Sequence, residues 1–421
     1  MPIADCQSKK FECQQPIANF QTKQKQMKTD ISEKEAAFIA EYSGEDVSAL
    51  RLKHSKTSVE GLDISFCCLQ IESRKKFSSK LPSFVARPDF VFPPLLNSEQ
   101  TSSEQTAVYK SELIASDCTI ADLTCGTGID AYFFARKAHS VLCVEKSEEL
   151  CELTKRNFER LNAGNCSFLS ADCESVLSQI DALDVIYLDP SRRDENARRV
   201  YAIEDCSPDV SSLAPLLLSK APHVIIKLSP MLDLKSVQRA LPCVSDIHVV
   251  SVANECKEIL IELRRGFSGD LRFHAVDIND SERRMLSFTR PHSDANPCSA
   301  NLATTIEEFI YEPSASLLKI GLYGTLIEKY GLKKLHPHSH LFTSSNLISD
   351  FQGRGFRLLK VRKADAKSLK DITKANISVR NFPQTVAEIR KKTKIREGGD
   401  VYLFFTTLAQ GEKVCLECLK I

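Results

Sequence analysis

From residue 117 to about 265, short apolar runs alternate with stretches of helical periodicity. The runs are Thr119–Leu123, Val141–Val144, Ser167–Leu169, Val185–Leu188, Val224–Leu228, Ile247–Val252 and Ile259–Leu263. Five of them are continuous or nearly so. Strands of a parallel sheet carry that signature, because helices cover both of its faces. Only Ala-Asn-Glu-Cys-Lys-Glu separates the last two runs. That gap is too short for a helical crossover, so the pair is expected to be antiparallel. The pattern predicts an α/β fold around a mostly parallel sheet with an antiparallel last strand.

The flanks are less regular. Residues 1–30 are polar and rich in Lys and Gln, and read as flexible. Thr29-Asp-Ile-Ser-Glu33 opens a helix, and a Gly-Glu-Asp turn leads to a second short one ending near Ser55. A Ser- and Pro-rich passage from Ser78 to Ser103 reads as a linker or extended surface segment. Beyond Phe267, residues 268–300 suit strand plus loop, and Glu307 to Tyr330 suits helix broken at Glu312-Pro and Gly321/Gly324. Strands at Phe356–Val361 and Val401–Thr406 then mix with helices at Ala364–Lys370 and Pro383–Thr393. The expected division is a helical region with linker (1–105), the α/β domain (106–266), and small α+β modules at 267–350 and 351–421.

Composition narrows the class without naming a partner. A chain of 421 residues suits two or three domains, and 43% hydrophobic with 26% charged residues suits globular protein. Lys and Arg number 56 against 55 Asp and Glu, so net charge selects no ligand. No run of about 18 apolar residues appears, so no membrane span is expected. The first 30 residues lack a signal-like apolar stretch. The 16 cysteines lie scattered in apolar segments, as reduced buried thiols of a cytoplasmic protein do. Cys415-Leu-Glu-Cys418, without a second pair or a clear His partner, reads as terminal strand rather than zinc site.

The chemistry gathers at strand ends. The first run leads into Asp122-Leu-Thr124-Cys-Gly126-Thr-Gly128-Ile-Asp130, followed by a helical stretch. Glycines at this turn let backbone approach a ligand closely. An acid beside it suits a methyl donor carrying an ammonium and a sulfonium rather than a phosphate. The second strand ends at Glu145, where one carboxylate can accept from two ribose hydroxyls. Ser147 caps the next helix. The third ends in Ser170-Ala-Asp172, placed to accept from an adenine amine or to open a helix. The fourth runs into Asp189-Pro190-Ser191-Arg192-Arg193, whose carboxylate and carbonyls face the cleft and can position a nucleophile.

With all four positions filled in order, the chain resembles class I methyltransferases, whose fold is Rossmann-like. The resemblance implies S-adenosylmethionine bound by Asp122, Thr124, Gly126, Gly128, Glu145 and Asp172, with Asp189, Pro190 and Arg192 on the catalytic side. The Asp189-Pro-Ser-Arg element is similar to the Asp/Asn-Pro-Pro-aromatic motif of amino-group nucleic-acid methyltransferases. Ser191 replaces the second Pro, and Arg192 replaces the aromatic that stacks on an extruded base. Arg192-Arg-Asp, Arg198-Arg-Val, Glu204-Asp-Cys-Ser-Pro-Asp209, Leu335-His-Pro-His-Ser-His-Leu341 and Ala375–Pro383 resemble a bacterial methyltransferase group. In that group a ferredoxin-like module and a THUMP-like domain follow the catalytic sheet, which implies methylation of a base in RNA.

Charge agrees with such a partner. From Arg354 to Arg396, fourteen Lys and Arg face only Asp365, Asp371 and Glu388, a local balance of +11 (14 − 3). A field of that sign suits a phosphate backbone, with Lys391, Lys392, Lys394 and Arg396 its densest part. His336, His338 and His340 alternate across Pro337 without a nearby acid, and read as a structural or RNA-contact segment rather than metal ligands. Gly126-Thr-Gly-Ile-Asp-Ala131 also fits a loose dinucleotide fingerprint, but Asp122, the Asp-Pro strand end and the antiparallel final pair oppose an oxidoreductase. The alternatives are a catalytically silent RNA-binding protein and a methyltransferase acting on a protein or small molecule.

Overall fold

The computed structural model describes residues 27–54, 61–94, 101–192, 203–279, 282–290 and 301–421. Most of the stretch expected to be flexible, 1–26, lies outside them. Its last residues are anchored: Lys28 pairs with buried Glu35, and Arg160 donates to the Thr29 carbonyl (2.7 Å). Helix α1 (Glu33–Glu41) starts at a capping box formed by Ser32 and Glu35. Asp46 and Asp63 cap α2 (Val47–Lys53) and α3 (Ile64–Phe77).

The described parts of the Ser- and Pro-rich passage, 78–94 and 101–103, are no surface linker, and 95–100 lie outside the described residues. After a short helix α4 (Pro82–Val85), residues Phe90, Val91 and Phe92 run buried beneath α3. Their backbone is satisfied by side chains instead of a neighbouring strand. The Gln70 amide exchanges two hydrogen bonds with Phe92, both 2.9 Å, and the Asn157 amide exchanges two with Val91. Arg74 donates to the carbonyls of Val85, Arg87, Pro88 and Phe90. Turn-forming composition was misleading here, because long polar side chains from distant helices supply the missing partners.

Helix α5 (Glu104–Glu112) leads into a nine-stranded sheet. Its strands are β1 (Thr119–Asp122), β2 (Ser140–Glu145), β3 (Cys166–Ser170), β4 (Val185–Leu188), β5 (His223–Leu228), β6 (Val244–Val252), β7 (Glu255–Arg264), β8 (Leu271–Ile278) and β9 (Arg283–Arg290). Their order is β9-β8-β6-β7-β5-β4-β1-β2-β3. The five expected parallel strands pair as predicted, and β7 is antiparallel to both β5 and β6. Helices α6 (Ile129–Ala135), α7 (Glu148–Arg160), α8 (Cys173–Gln179), α9 (Val210–Lys220) and α10 (Leu234–Ala240) connect them.

Two expectations beyond this core change. Residues 271–290 belong to the first sheet, because β8 pairs in parallel with β6 and β9 returns beside it. Arg272, His274 and Asp277 made the segment look polar, while Phe273, Ala275, Val276 and Ile278 are buried. A module starting at 267 therefore begins too early. Residues 309–313, read as helix, form strand β10 (Phe309–Pro313), and helices α11 (Ala315–Ile320) and α12 (Tyr323–Tyr330) follow.

A second sheet holds the remainder: β10, β11 (Lys333–Lys334), β12 (Phe342–Ser344), β13 (Gly353–Lys363), β14 (Asn376–Arg380), β15 (Val401–Thr407) and β16 (Lys413–Lys420), ordered β11-β12-β10-β13-β16-β15-β14. The expected helix at 364–370 is a series of turns, whereas α13 (Val386–Thr393) forms within the expected 383–393 stretch. Cys415 and Cys418 are buried on β16, and burial pushes the Cys418 thiol up to about 12. The two sheets are joined by apolar packing, since Leu317, Ile320 and Leu326 enter the core of the first. Among the described residues, no helix is long and apolar enough to cross a membrane.

Candidate active site

The loop after β1 is stretched between its two neighbouring strands. Leu123 N–H donates to the Tyr187 carbonyl of β4 (3.0 Å), and Cys125 N–H donates to the Val144 carbonyl of β2 (2.8 Å). Gly126 then turns at φ 55° and Gly128 at φ 78°, where a side chain is strained. The two glycines serve different ends. A Cβ on Gly126 would meet only a backbone oxygen at 3.9 Å, leaving its face open to a ligand. A Cβ on Gly128 would strike Phe158 at 2.5 Å and Thr154 at 2.6 Å, so that glycine lets α6 start against α7.

This loop and the carboxyl ends of β2, β3 and β4 surround a cavity of about 560 Å³. Asp122, Thr124, Gly126, Glu145, Asp172 and Asp189 all line it, as do Ser102, Asp130 and Ser207, which were not among the expected site residues. Gly128 does not line it, in keeping with its packing role. Glu145 accepts from the Gly126 N–H (3.0 Å) and the Ser147 N–H (2.9 Å), which fixes the loop to the end of β2. Asp172 accepts from the Glu174 N–H (3.0 Å) and so caps α8 while facing the cavity. Asp122 is 1% exposed, and burial, reinforced by Asp130, pushes its carboxyl well above the usual range.

The Asp189 end of the cavity is more constrained than a free Asp-Pro turn. Thr124 Oγ1 accepts from the Asp189 N–H (2.6 Å), tying the loop after β1 to the end of β4. The Asp189 carboxylate pairs with Lys227 on β5. Burial opposes the charge on Lys227, yet Asp189, Glu258 and Asp130 hold its ammonium above the ordinary lysine value. Pro190 is buried beside the cavity rather than in its wall. Ser191–Arg192 pairs with Cys206–Ser207, which brings Ser207 and Pro208 to the rim. The Arg192 side chain and residues 193–202, with Arg193 and Arg198, lie outside the described residues.

Sequence reasoning missed Lys227, Lys110, Asp130 and Glu258. Lys227 stands near the carboxyl end of a central strand, where ligands gather in such sheets. Lys110 occupies an inward position of α5, three residues after buried Ala107 and four before buried Ile114, where an apolar residue belongs. It is fully buried against Asp130 (3.0 Å) and Glu258 (3.1 Å).

Three family models match consecutive parts of the chain: a methyltransferase domain at 120–202, a ferredoxin-like domain at 309–351 and a THUMP-like domain at 353–420. A crystal structure of a candidate methyltransferase from Porphyromonas gingivalis W83 superposes with a TM-score of 0.82 at 31% identity. The match covers 92% of this chain and 97% of that one. This chain belongs to that family of class I methyltransferases with ferredoxin-like and THUMP-like modules. An uncharacterized RNA methyltransferase of Clostridium acetobutylicum is 34% identical over 119 residues, 26% of each chain. The ribosomal RNA small subunit methyltransferase J of Coxiella burnetii is 30% identical over 133 residues, 27% of this chain and 51% of that one. The matched stretch thus spans about a quarter and a half of these curated relatives.

The basic module of this methyltransferase carries less free charge than its composition implied. Arg354 and Arg380 pair with Glu312, Arg357 with Glu308, and Arg362 with Asp371 and Glu417. Most of those acids stand outside the 354–396 window. Lys391, Lys392, Lys394 and Arg396 remain exposed and form no ion pair with a described residue. They cluster at the end of α13, where Lys394 terminates the helix at φ 60°. The three histidines do not converge: His336 Nδ1 accepts from the His338 N–H (3.0 Å) and lies 2.9 Å from the Asn381 amide, while the His340 ring lies 4.9 Å from that of Tyr323.

Proposed function

We propose that this methyltransferase transfers a methyl group from S-adenosylmethionine to RNA. The observation that carries the reading is a cavity walled by carboxylates in a protein that also presents an exposed basic cluster. Asp122, Glu145, Asp172 and Asp189 line one cavity of about 560 Å³, a setting for a cationic ligand rather than a phosphate. The donor fits that set, and when bound it supplies a methyl group on a positively charged sulfur. Asp122 is the partner for its ammonium, because a cation relieves the cost of burying that carboxylate. Glu145 offers its carboxylate to the ribose hydroxyls, and Asp172 faces the adenine side. Gly126 keeps the loop free of a side chain where the ligand approaches.

Asp189 lines the same cavity, fixed through its own backbone to Thr124. Its task is to orient the acceptor and take a proton. Lys391, Lys392, Lys394 and Arg396 give the RNA backbone a cationic surface, and the names of the clostridial and Coxiella relatives agree with RNA as acceptor. Calorimetric titration with S-adenosylmethionine and with NAD tests the donor. Labelled methyl transfer to RNA from a strain lacking the gene tests the acceptor. Binding of NAD without S-adenosylmethionine, or donor binding with no methyl transfer to RNA, overturns the reading. Loss of transfer in Asp189→Ala with RNA binding retained separates it from a silent RNA-binding protein.

A further inference from the structure

Leu188 on β4 stands opposite Ile226 on β5, so the residues that follow, Asp189 and Lys227, come side by side at the carboxyl ends of two parallel strands. Their side chains form an ion pair with unequal surroundings. Asp189 lines the cavity and is 32% exposed. Lys227 is 13% exposed and takes no part in the cavity wall. Behind it, Lys110 bridges Asp130 (3.0 Å) and Glu258 (3.1 Å), and Asp130 also accepts from the Tyr187 hydroxyl (2.7 Å). Lysines are rarely drawn so far inside, because desolvation costs more than a simple ion pair returns.

Resting on the reading of Asp189 given above, we infer that Lys227 is the positioning residue for that carboxylate and acts on methyl transfer only through it. Three carboxylates surround the two ammonium groups, so Lys227 adds no net positive field to the cavity. Its effect is on the group it touches. An aspartate in a cavity wall turns about two side-chain bonds, and a carboxylate free to turn must be ordered each time an acceptor arrives. Here Thr124 holds the Asp189 N–H (2.6 Å) and Lys227 holds the carboxylate, whose remaining lone pairs are left for an acceptor.

A lysine is costly to fix by itself, since its long stem loses rotational freedom. Burial in β5 meets that cost in advance of ligand binding, and the neighbouring Glu258 and Asp130 help Asp189 to keep the ammonium charged. An apolar pair of similar volume would join these strands at less cost. Stability alone therefore does not explain a pair that opens on one side into the cavity.

A double-mutant cycle on methyl transfer tests this. Full-length protein is given methyl-labelled S-adenosylmethionine and total RNA from a strain lacking the gene, and kcat, KM and calorimetric donor affinity are measured. Lys227→Met should lower kcat about 10–100-fold with donor affinity within about threefold, and Lys227→Arg should recover part of the loss. Asp189→Asn should be slow as well, and adding Lys227→Met to it should change kcat by less than about threefold. A full further loss in that double variant overturns the inference. So does a wild-type kcat in Lys227→Met, or a fall in donor affinity that matches the fall in kcat. All three leave the RNA methyltransferase reading standing. A wild-type kcat in Asp189→Asn overturns the role of Asp189 and this inference with it, whereas no label in RNA from the unaltered protein overturns the whole reading. If Lys227→Met fails to fold for want of a buried positive charge, Glu258→Gln with Lys227→Met restores the balance. It should show the same loss of kcat relative to Glu258→Gln alone, and no loss overturns the inference.

Discussion

Single residues divide the proposed donor site into groups that face the cavity and groups that pack. Asp122 is the clearest of the first kind. Burial and the neighbouring Asp130 raise its carboxyl above the ordinary value, and a cationic donor beside it favours the ionised form. Donor affinity should therefore rise with pH, with proton release visible when titrations are repeated in buffers of different ionisation enthalpy. Asp122→Asn should weaken binding at least about tenfold, a loss of roughly 1.4 kcal/mol, and flatten that pH dependence. The glycines give a second contrast. Gly128→Ala adds a Cβ at 2.5 Å from Phe158 on a left-handed residue, and should cost about 2–4 kcal/mol in denaturant unfolding. Gly126→Ala meets no close atom, so its main effect should be on donor affinity. Equal losses of stability in the two variants would contradict this division.

At the scale of elements, β6, β7 and β8 are stitched by a polar network inside an otherwise apolar sheet. Glu262 on β7 lies 2.7 Å from His223 and 2.8 Å from His248, and His248 stacks on His274 at 4.3 Å. His274 and Arg272 bond Asp246, which they hold at about 2 although burial opposes it. Tyr109 reaches in from α5 to His248 (2.6 Å). Burial also lowers His248 below its usual 6.5. Both shifts have the same sign for stability. A depressed imidazole and a depressed carboxyl favour the fold above their unfolded values and lose that contribution as pH falls. The melting temperature should be flat near neutrality, decline below about 6.5 and fall more steeply below about 4. Asp246→Asn should make the steeper part shallower, as read from thermal melts across pH. The polar residues of β8 hid this strand in the sequence for the same reason that they matter: they pair across strands rather than face water.

On the scale of the molecule, a carboxylate-walled cavity and a basic surface belong to two sheets that share apolar packing through α11 and α12. Gln352 reinforces the joint by donating to the Ala275 carbonyl (2.9 Å), and Ser316 donates to Asp277 (2.8 Å). The two sheets are thus held together, and under the proposed function one RNA contacts both. Replacing Lys391, Lys392, Lys394 and Arg396 together by Ala should weaken RNA binding and lower the slope of log affinity against log salt by about 2–3. Donor affinity should not change. An unaltered salt slope would mean that the RNA path runs elsewhere. The arginines of β13 and β14 are poorer targets, since Glu308, Glu312 and Glu417 already neutralise them.

Sequence alone determined the strands and the glycine turn that surround the cavity. Strand order, the antiparallel β7, the glycine turn and the acids at the ends of β1, β2 and β3 follow from local periodicity and from the rule that ligands meet strands at their carboxyl ends. What lay at long range stayed hidden. Residues 78–103 read as linker because nothing nearby shows that Gln70, Arg74 and Asn157 will satisfy the backbone between Val85 and Phe92. The balance of +11 counted charges within one window, while their partners came from strands and loops outside it. Lys110, Lys227 and Glu258 stand far apart along the chain, in a helix and two strands, and each alone looks like an ordinary charged residue. Only folding sets Lys227 against Asp189 and Lys110 between Asp130 and Glu258, because desolvated charges acquire their meaning from the groups that surround them in space.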